Sequence, residues 1–235
     1  MPHPKSHLLE SWLARRDSLS AFTTVELNAL NQKLGAFLSI DVVVPAHEAS
    51  ALNTKSLERS WEETNAYVKA ALSIINANEP LWLDREEVAM IRDELGDPPS
   101  QCSPIYLITV GTGPVERVVY IGKTSSEKSR FLGGHSALSK LLNPVYDGLH
   151  KQIYLGSVFL VTDEKSLLPL EWIQPLASSE MILKSVEAQL IYEFKPELNT
   201  HNVEVDNAGW PILVHIQNYD GGNPFLHDIF CHPTR

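Results

Sequence analysis

The sequence is poor in several features that define common protein classes. It has two cysteines in 235 residues, Cys102 and Cys231, too few for a disulfide framework or a cysteine-rich zinc site, and they form no C-x-x-C. No apolar run approaches the roughly 18 to 20 residues that a membrane span needs. Met1-Pro2-His3-Pro4-Lys5 leads into an amphipathic pattern rather than a signal-peptide core. These absences predict a cytoplasmic chain with reduced thiols and no membrane partner. There are no internal repeats and no low-complexity tract. What remains is an ordinary globular composition, 43% hydrophobic and 20% charged, long enough for one large domain or two small ones.

Positive charge is also scarce. Nineteen Lys and Arg stand against 29 Asp and Glu, a formal net charge of −10, which argues against holding nucleic acid by global electrostatics. Between residues 117 and 151 the balance reverses. Arg117, Lys123, Lys128, Arg130, Lys140 and Lys151 face only Glu127 and Asp147, so one segment can meet phosphate while the rest repels it.

Periodicity divides the chain. Leu8, Leu9, Trp12 and Leu13, then Leu27, Leu30, Leu34 and Leu38, recur at helical spacing. Val42 to His47 reads as a short extended piece, and helical periodicity resumes over 61–75 and 84–95, the latter opened by a capping box of Asp84 and Glu87. Residues 1–97 therefore predict a mainly helical N-terminal region. Gly96-Asp97-Pro98-Pro99-Ser100 stops it, and 98–103 reads as a linker.

From residue 104 the pattern turns to strands. Ile105 to Val110 and Arg117 to Gly122 are β-branched and aromatic runs separated by Gly111-Thr112-Gly113-Pro114, a hairpin signal. A helix over about 130–142, a strand over 152–161 and a long helix over 177–194 follow, giving the order ββαβα. The run Ile212 to Ile216 reads as a covering strand in a C-terminal extension, 203–235, packed on the preceding domain.

Gly122-Lys123-Thr124 matches the end of a phosphate-binding P-loop, but that motif needs glycine at position 117, which is arginine. A different pattern accounts for more residues. Pro104-Ile105-Tyr106, Tyr120-Ile121-Gly122-Lys123-Thr124, Arg130, His135, Glu187 in a helix and Asn199 after Lys195-Pro196-Glu197-Leu198 together resemble the GIY-YIG nuclease superfamily over about 104–202. Two departures are Pro104 where the family has glycine and a slightly longer loop between the tyrosines. Proline is tolerated where a strand starts, and hairpin loops accept insertions.

The resemblance implies an α+β fold, a GIY-YIG-like ββαβα domain with a small central sheet flanked by helices. It implies a metal-dependent endonuclease hydrolysing phosphodiester bonds of DNA, in preference to RNA, in a restriction or defence setting. The alternative is a catalytically inactive module of the same fold that binds nucleic acid or protein. The N-terminal helical region would then carry a protein partner or a dimer contact.

Phosphodiester hydrolysis needs an activated water, a counter-charge on the pentacoordinate phosphorus and help for the leaving oxygen. By resemblance, Tyr106 is the general base or positions the water. A phenol ordinarily ionises near pH 10, so that role needs the positive charge of Lys123, Arg130 and the metal. Arg130 grips the scissile phosphate with its planar fork. Tyr120 and His135 orient water or tyrosine, and Asn199 fixes the active-site loop or contacts substrate backbone. Gly122 and Lys140 join Lys123 and Arg130 along the substrate, and Glu187 holds Mg²⁺ or Mn²⁺, since such ions accept one or two carboxylates with water and phosphate. Each residue also has a plainer reading: Tyr106 and Tyr120 as core aromatics, Lys123 and Arg130 as solvated charges, His135 as a cap, Glu187 as a surface carboxylate.

Overall fold

A computed structural model describes residues 8–16, 18–19, 25–26, 35–52, 54–78, 82–124, 131, 134–161, 167–205 and 207–233. In chain order the elements are α1 (Leu8–Leu13), β1 (Val25–Glu26), β2 (Gly35–Pro45), α2 (Leu57–Ile74), α3 (Arg85–Leu95), β3 (Ile105–Val110) and β4 (Arg117–Lys123). They continue with α4 (Ser136–Lys140), β5 (Lys151–Val161), β6 (Leu167–Pro169), β7 (Ile173–Gln174), α5 (Leu176–Phe194), β8 (Leu213–Asn218) and β9 (Ile229–Cys231). Short 3₁₀ turns punctuate them, one of which, Ala46–Ala51, follows β2 directly.

The sheet overturns the expected fold class. In place of a small sheet, seven strands among the described residues run in the order β4-β3-β5-β2-β8-β9, with β6 beside β5, and the sheet curls into a half-barrel. β2 begins in the stretch expected to be helical and takes in residues 42–45, the part expected to be extended. It is 11 residues long, lies antiparallel to β5 from Gly35↔Val161 to Pro45↔Gln152, and parallel to β8 from Gly35↔Leu213 to Ile40↔Asn218. The physical reason is legible in retrospect. Leu38-Ser39-Ile40-Asp41 alternates apolar and polar, and Val42-Val43-Val44 is β-branched, which suits a pleated strand better than a helix. Of the stripe Leu27, Leu30, Leu34 and Leu38, the first three lie outside the described residues, and Leu38 is buried in β2. The Ile212–Ile216 run is likewise no cover over the sheet, because β8 is one of its inner strands.

Other elements follow their sequence signals. Asp84 caps α3 reciprocally with Glu87, each side chain meeting the other's backbone N–H at 2.8 Å, and Gly96 ends the helix at φ +71°. Ser56 accepts the Arg59 N–H at the start of α2. The helix expected over 130–142 is shorter, Ser136–Lys140, with 125–130, 132 and 133 outside the described residues.

Each sheet face carries its own core. Ile105, Leu107 and Ile121 on one face pack with Trp12, Val68, Ile91 and the α5 residues Ile182, Val186 and Leu190. On the other, Tyr106, Ile108, Val119 and Leu155 pack with Ala49, Phe131, Ala137 and Tyr146. Strand alternation thus sends neighbours to opposite cores. Among the described residues, no helix is long and apolar enough to cross a membrane.

Candidate functional site

Four of the residues singled out by sequence, Tyr106, Tyr120, Gly122 and His135, meet at the β3–β4 end of the sheet. β4 is an edge strand, and antiparallel pairing places Tyr106 opposite Gly122. The tyrosine ring lies directly over that glycine: a Cβ at position 122 would collide with the Tyr106 ring and sit 2.9 Å from Tyr120 Cε1. Glycine is required here by close approach. Tyr106 and Tyr120 stack with centroids 6.0 Å apart at 29°, and the His135 ring meets both edge-on, at 5.5 and 5.4 Å.

His135 is both cap and partner. At the start of α4 its Nδ1 accepts the Ala137 N–H at 3.3 Å, which puts the ring proton on Nε2. That nitrogen lies 2.8 Å from the Tyr106 hydroxyl oxygen, so it donates, and the phenol oxygen accepts. A donor aimed at this oxygen stabilises negative charge there. Phe131 closes the cluster, its ring 5.1 Å from Tyr106 at 73°. Sequence reasoning missed Phe131, and nothing in its local pattern marks it. Tyr106 has no exposed surface and His135 is buried, whereas Tyr120 is half-buried.

Asn199 works on the edge strand. Its Oδ1 accepts the Ile121 N–H and its Nδ2 donates to the Ile121 carbonyl, both at 2.9 Å. Leu198 N–H adds a bond to the Val119 carbonyl, also 2.9 Å. The 198–199 segment therefore covers open hydrogen-bonding positions of β4. It is anchored by Glu197, which accepts from Arg117 and from the Tyr146 hydroxyl. The Arg117 bond holds the Glu197 carboxyl below the usual carboxylate range, and burial, followed by Glu197, pushes the Tyr146 phenol up. Exposed Lys140 reaches the Leu198 carbonyl at 3.5 Å, beside the same strap.

Lys123 ends β4 half-buried and, with Thr124, lines a groove of about 300 Å³ whose other walls are Ser56, Leu57 and Glu58 at the start of α2 and Glu180, Leu183 and Lys184 on α5. Thr124 continues the pairing of β3 through a 2.8 Å bond to the Pro104 carbonyl. The α2 wall was invisible to sequence reasoning because only tertiary folding brings it there. Glu187 follows one turn after Leu183 and Lys184 on the same side of α5. It is half-buried and partnered, on a helix that packs against β4. The buried residues of α5 join the core on the face opposite Tyr106, so the helix that carries Glu187 lies across the sheet from the tyrosine cluster. Arg130 lies outside the described residues.

No group of three His, Cys, Asp or Glu gathers as a metal cage among the described residues. Glu187 with water and a substrate phosphate is nonetheless a donor set that Mg²⁺ or Mn²⁺ accepts. Comparison with known proteins finds no matching family model, no matching curated protein and no matching solved structure.

Proposed function

We propose that this chain is a metal-dependent phosphodiesterase of the GIY-YIG type that cuts nucleic acid, DNA in preference to RNA, in the cytoplasm. The observation that carries this reading is the Tyr106–His135 contact, a phenol oxygen held 2.8 Å from an imidazole nitrogen whose tautomer is set by the Ala137 amide, beside Tyr120 and Gly122. Because Tyr106 is buried, half-buried Tyr120 is the group on that face that meets water and phosphate, with Tyr106 and His135 fixing it from behind, and Lys123 adds its charge from the groove on the other face of the edge strand. Glu187 is the residue that would hold the metal, which supplies counter-charge to the phosphate and a more acidic bound water. Asn199 holds β4 in place, and Arg130 and Lys140 supply positive charge along the substrate. Restriction or defence is the biological setting this activity suits, by analogy alone.

The zero exposure of Tyr106 favours a second reading, a noncatalytic module that binds nucleic acid or protein, the protein contact or a dimer running through the N-terminal region. One experiment separates them. Supercoiled plasmid, single-stranded DNA and RNA are incubated with the protein and with Glu187→Ala, in Mg²⁺, Mn²⁺ or EDTA. Cleavage that needs both metal and Glu187 supports the nuclease. Binding without cleavage, unchanged by the substitution, supports the module.

A further inference from the structure

The far end of the sheet holds a cluster that the nuclease reading does not use. Alternation along β8 sends Val214 and Ile216 into the core and leaves His215 and Gln217 side by side on the other face. β9 pairs antiparallel with β8 in the register His215↔Phe230, and the Phe230 ring stacks on the imidazole, centroids 4.0 Å apart at 7°. Phe37 on β2 meets the same imidazole edge-on at 5.4 Å. Asp228, just before β9, brings its carboxylate to both polar side chains. The ring of His215 is thus held from two sides while its Nε2 faces polar groups.

Three atoms form a tight triangle. His215 Nε2 lies 2.9 Å from Asp228 Oδ1 and 2.8 Å from the Gln217 amide nitrogen, and that nitrogen lies 3.0 Å from the same Asp228 oxygen. With Asp228 ionised, no placement of protons satisfies all three edges. If Nε2–H donates to Asp228, the Gln217 amide and the imidazole face each other as two donors. If Gln217 donates to both neighbours, a bare imidazole lone pair faces the carboxylate. A cation bound by all three removes the conflict once the Gln217 amide is turned to present its oxygen, an exchange of near-isosteric atoms. The size agrees as well. Ligands about 2.1 Å from one ion and at right angles to each other stand about 3.0 Å apart, whereas tetrahedral zinc spreads its ligands to about 3.4 Å.

We propose that His215, Gln217 and Asp228 form one face of an octahedral site for a first-row divalent transition ion, of the Mn²⁺ to Ni²⁺ group, with water in the remaining positions. Imidazole favours such ions over Mg²⁺. The side chains of His215 and Asp228 are 25% and 64% exposed, which leaves room for that water. The site is distinct from the tyrosine cluster. Tyr106 pairs with Leu155 while His215 pairs through Phe37 with Phe159, a separation of three strands and four residues, roughly 20 Å on the same sheet face. An ion there ties β8 to the turn that leads into β9.

Calorimetric titration of the full chain with NiCl₂ and MnCl₂ tests this, alongside His215→Ala, Asp228→Asn, Gln217→Glu and the exposed control His201→Ala. One equivalent binds to the unmodified chain and to His201→Ala. His215→Ala and Asp228→Asn weaken binding more than about tenfold, and Gln217→Glu, which supplies a carboxylate oxygen, tightens it. Circular dichroism in EDTA checks that the variants are folded, and Gln217→Glu keeps the test decisive if His215→Ala is not. The proposal is overturned if the unmodified chain shows no saturable binding, if His215→Ala binds as the parent does, or if Gln217→Glu gives no gain.

Discussion

Asn199 grips Ile121 by both of its backbone hydrogen-bonding groups, accepting from its N–H and donating to its carbonyl at 2.9 Å each. A side chain here does the work of a neighbouring strand. Asn199→Ala removes both bonds and is expected to cost about 1–3 kcal/mol, read from urea unfolding. Asn199→Asp keeps the acceptor and sets a carboxylate against the Ile121 carbonyl, so it should be at least as destabilising. A variant as stable as the parent would mean that solvent replaces the grip without loss.

Gly122→Ala drives a methyl group into the Tyr106 ring and should lose about 1–3 kcal/mol, with a changed near-ultraviolet dichroism from the tyrosine pair. Gly209→Ala is the control, since its added Cβ meets only Ser185 Oγ at an ordinary 3.7 Å. Equal stability of the two variants would contradict the close approach of Tyr106 to β4.

The His135 contacts fix a tautomer that nuclear magnetic resonance can read. With Nδ1 accepting from Ala137 and Nε2 donating to Tyr106, the ring nitrogens should show the neutral form protonated at Nε2. Tyr106→Phe should leave the tautomer in place while removing the Tyr106 hydroxyl from Nε2. A dominant Nδ1–H form would reverse the direction of the Tyr106 bond.

Two carboxyls should respond to acid in opposite senses. Bonded to Lys55, Glu63 has its folded pKa lowered. The stability it adds is present above its unfolded pKa, near 4.3, and is lost as pH falls through its folded value. Glu171 is buried and bonded to Ser60, and burial, the largest cause, raises its pKa. Its ionisation therefore opposes folding above the raised value, and that cost fades as pH falls through the window down to the unfolded value. Glu171→Gln, which still accepts from Ser60, should stabilise the protein at neutral pH and match the parent in acid. A constant difference across pH would contradict a buried, titrating Glu171.

Both cysteines are buried, and burial pushes their thiols up, Cys231 to about 12 and Cys102 well above its usual value. Ellman's reagent should find no thiol in the folded protein and both in urea. Rapid labelling without denaturant would place one of them at the surface.

Local signals made part of this molecule legible. Alternation and turn residues mark β3, β4 and β5, a capping box marks α3, and the apolar periodicity of α5 runs nearly to its true ends. The first half of β2 was misread because Leu34 and Leu38 share a helical spacing, while the alternation that fits a strand begins only at Leu38. Its second half, residues 42–45, was marked as extended by its β-branched run. Its pairing with β8 joins residues at opposite ends of the chain, and no local pattern encodes that. The tyrosines, His135 and Asn199 were found through a motif. Their mutual geometry, with Phe131 against Tyr106 and Asn199 on Ile121, follows from a hairpin, a short helix and a return strap that only the folded chain assembles.

The central place of β2 also governs when this protein can fold. One neighbour, β5, is made long after it, and the other, β8, comes after α5, so during synthesis the strand leaves the ribosome with neither of its sheet partners. Until β8 arrives, one side of β2 offers bare hydrogen-bonding groups beside Leu38 and Ile40, as an edge open to other nascent chains. Pairings this distant in sequence fold slowly, and holding β2 apart until the C-terminal strands appear is the step on which the yield of native protein depends.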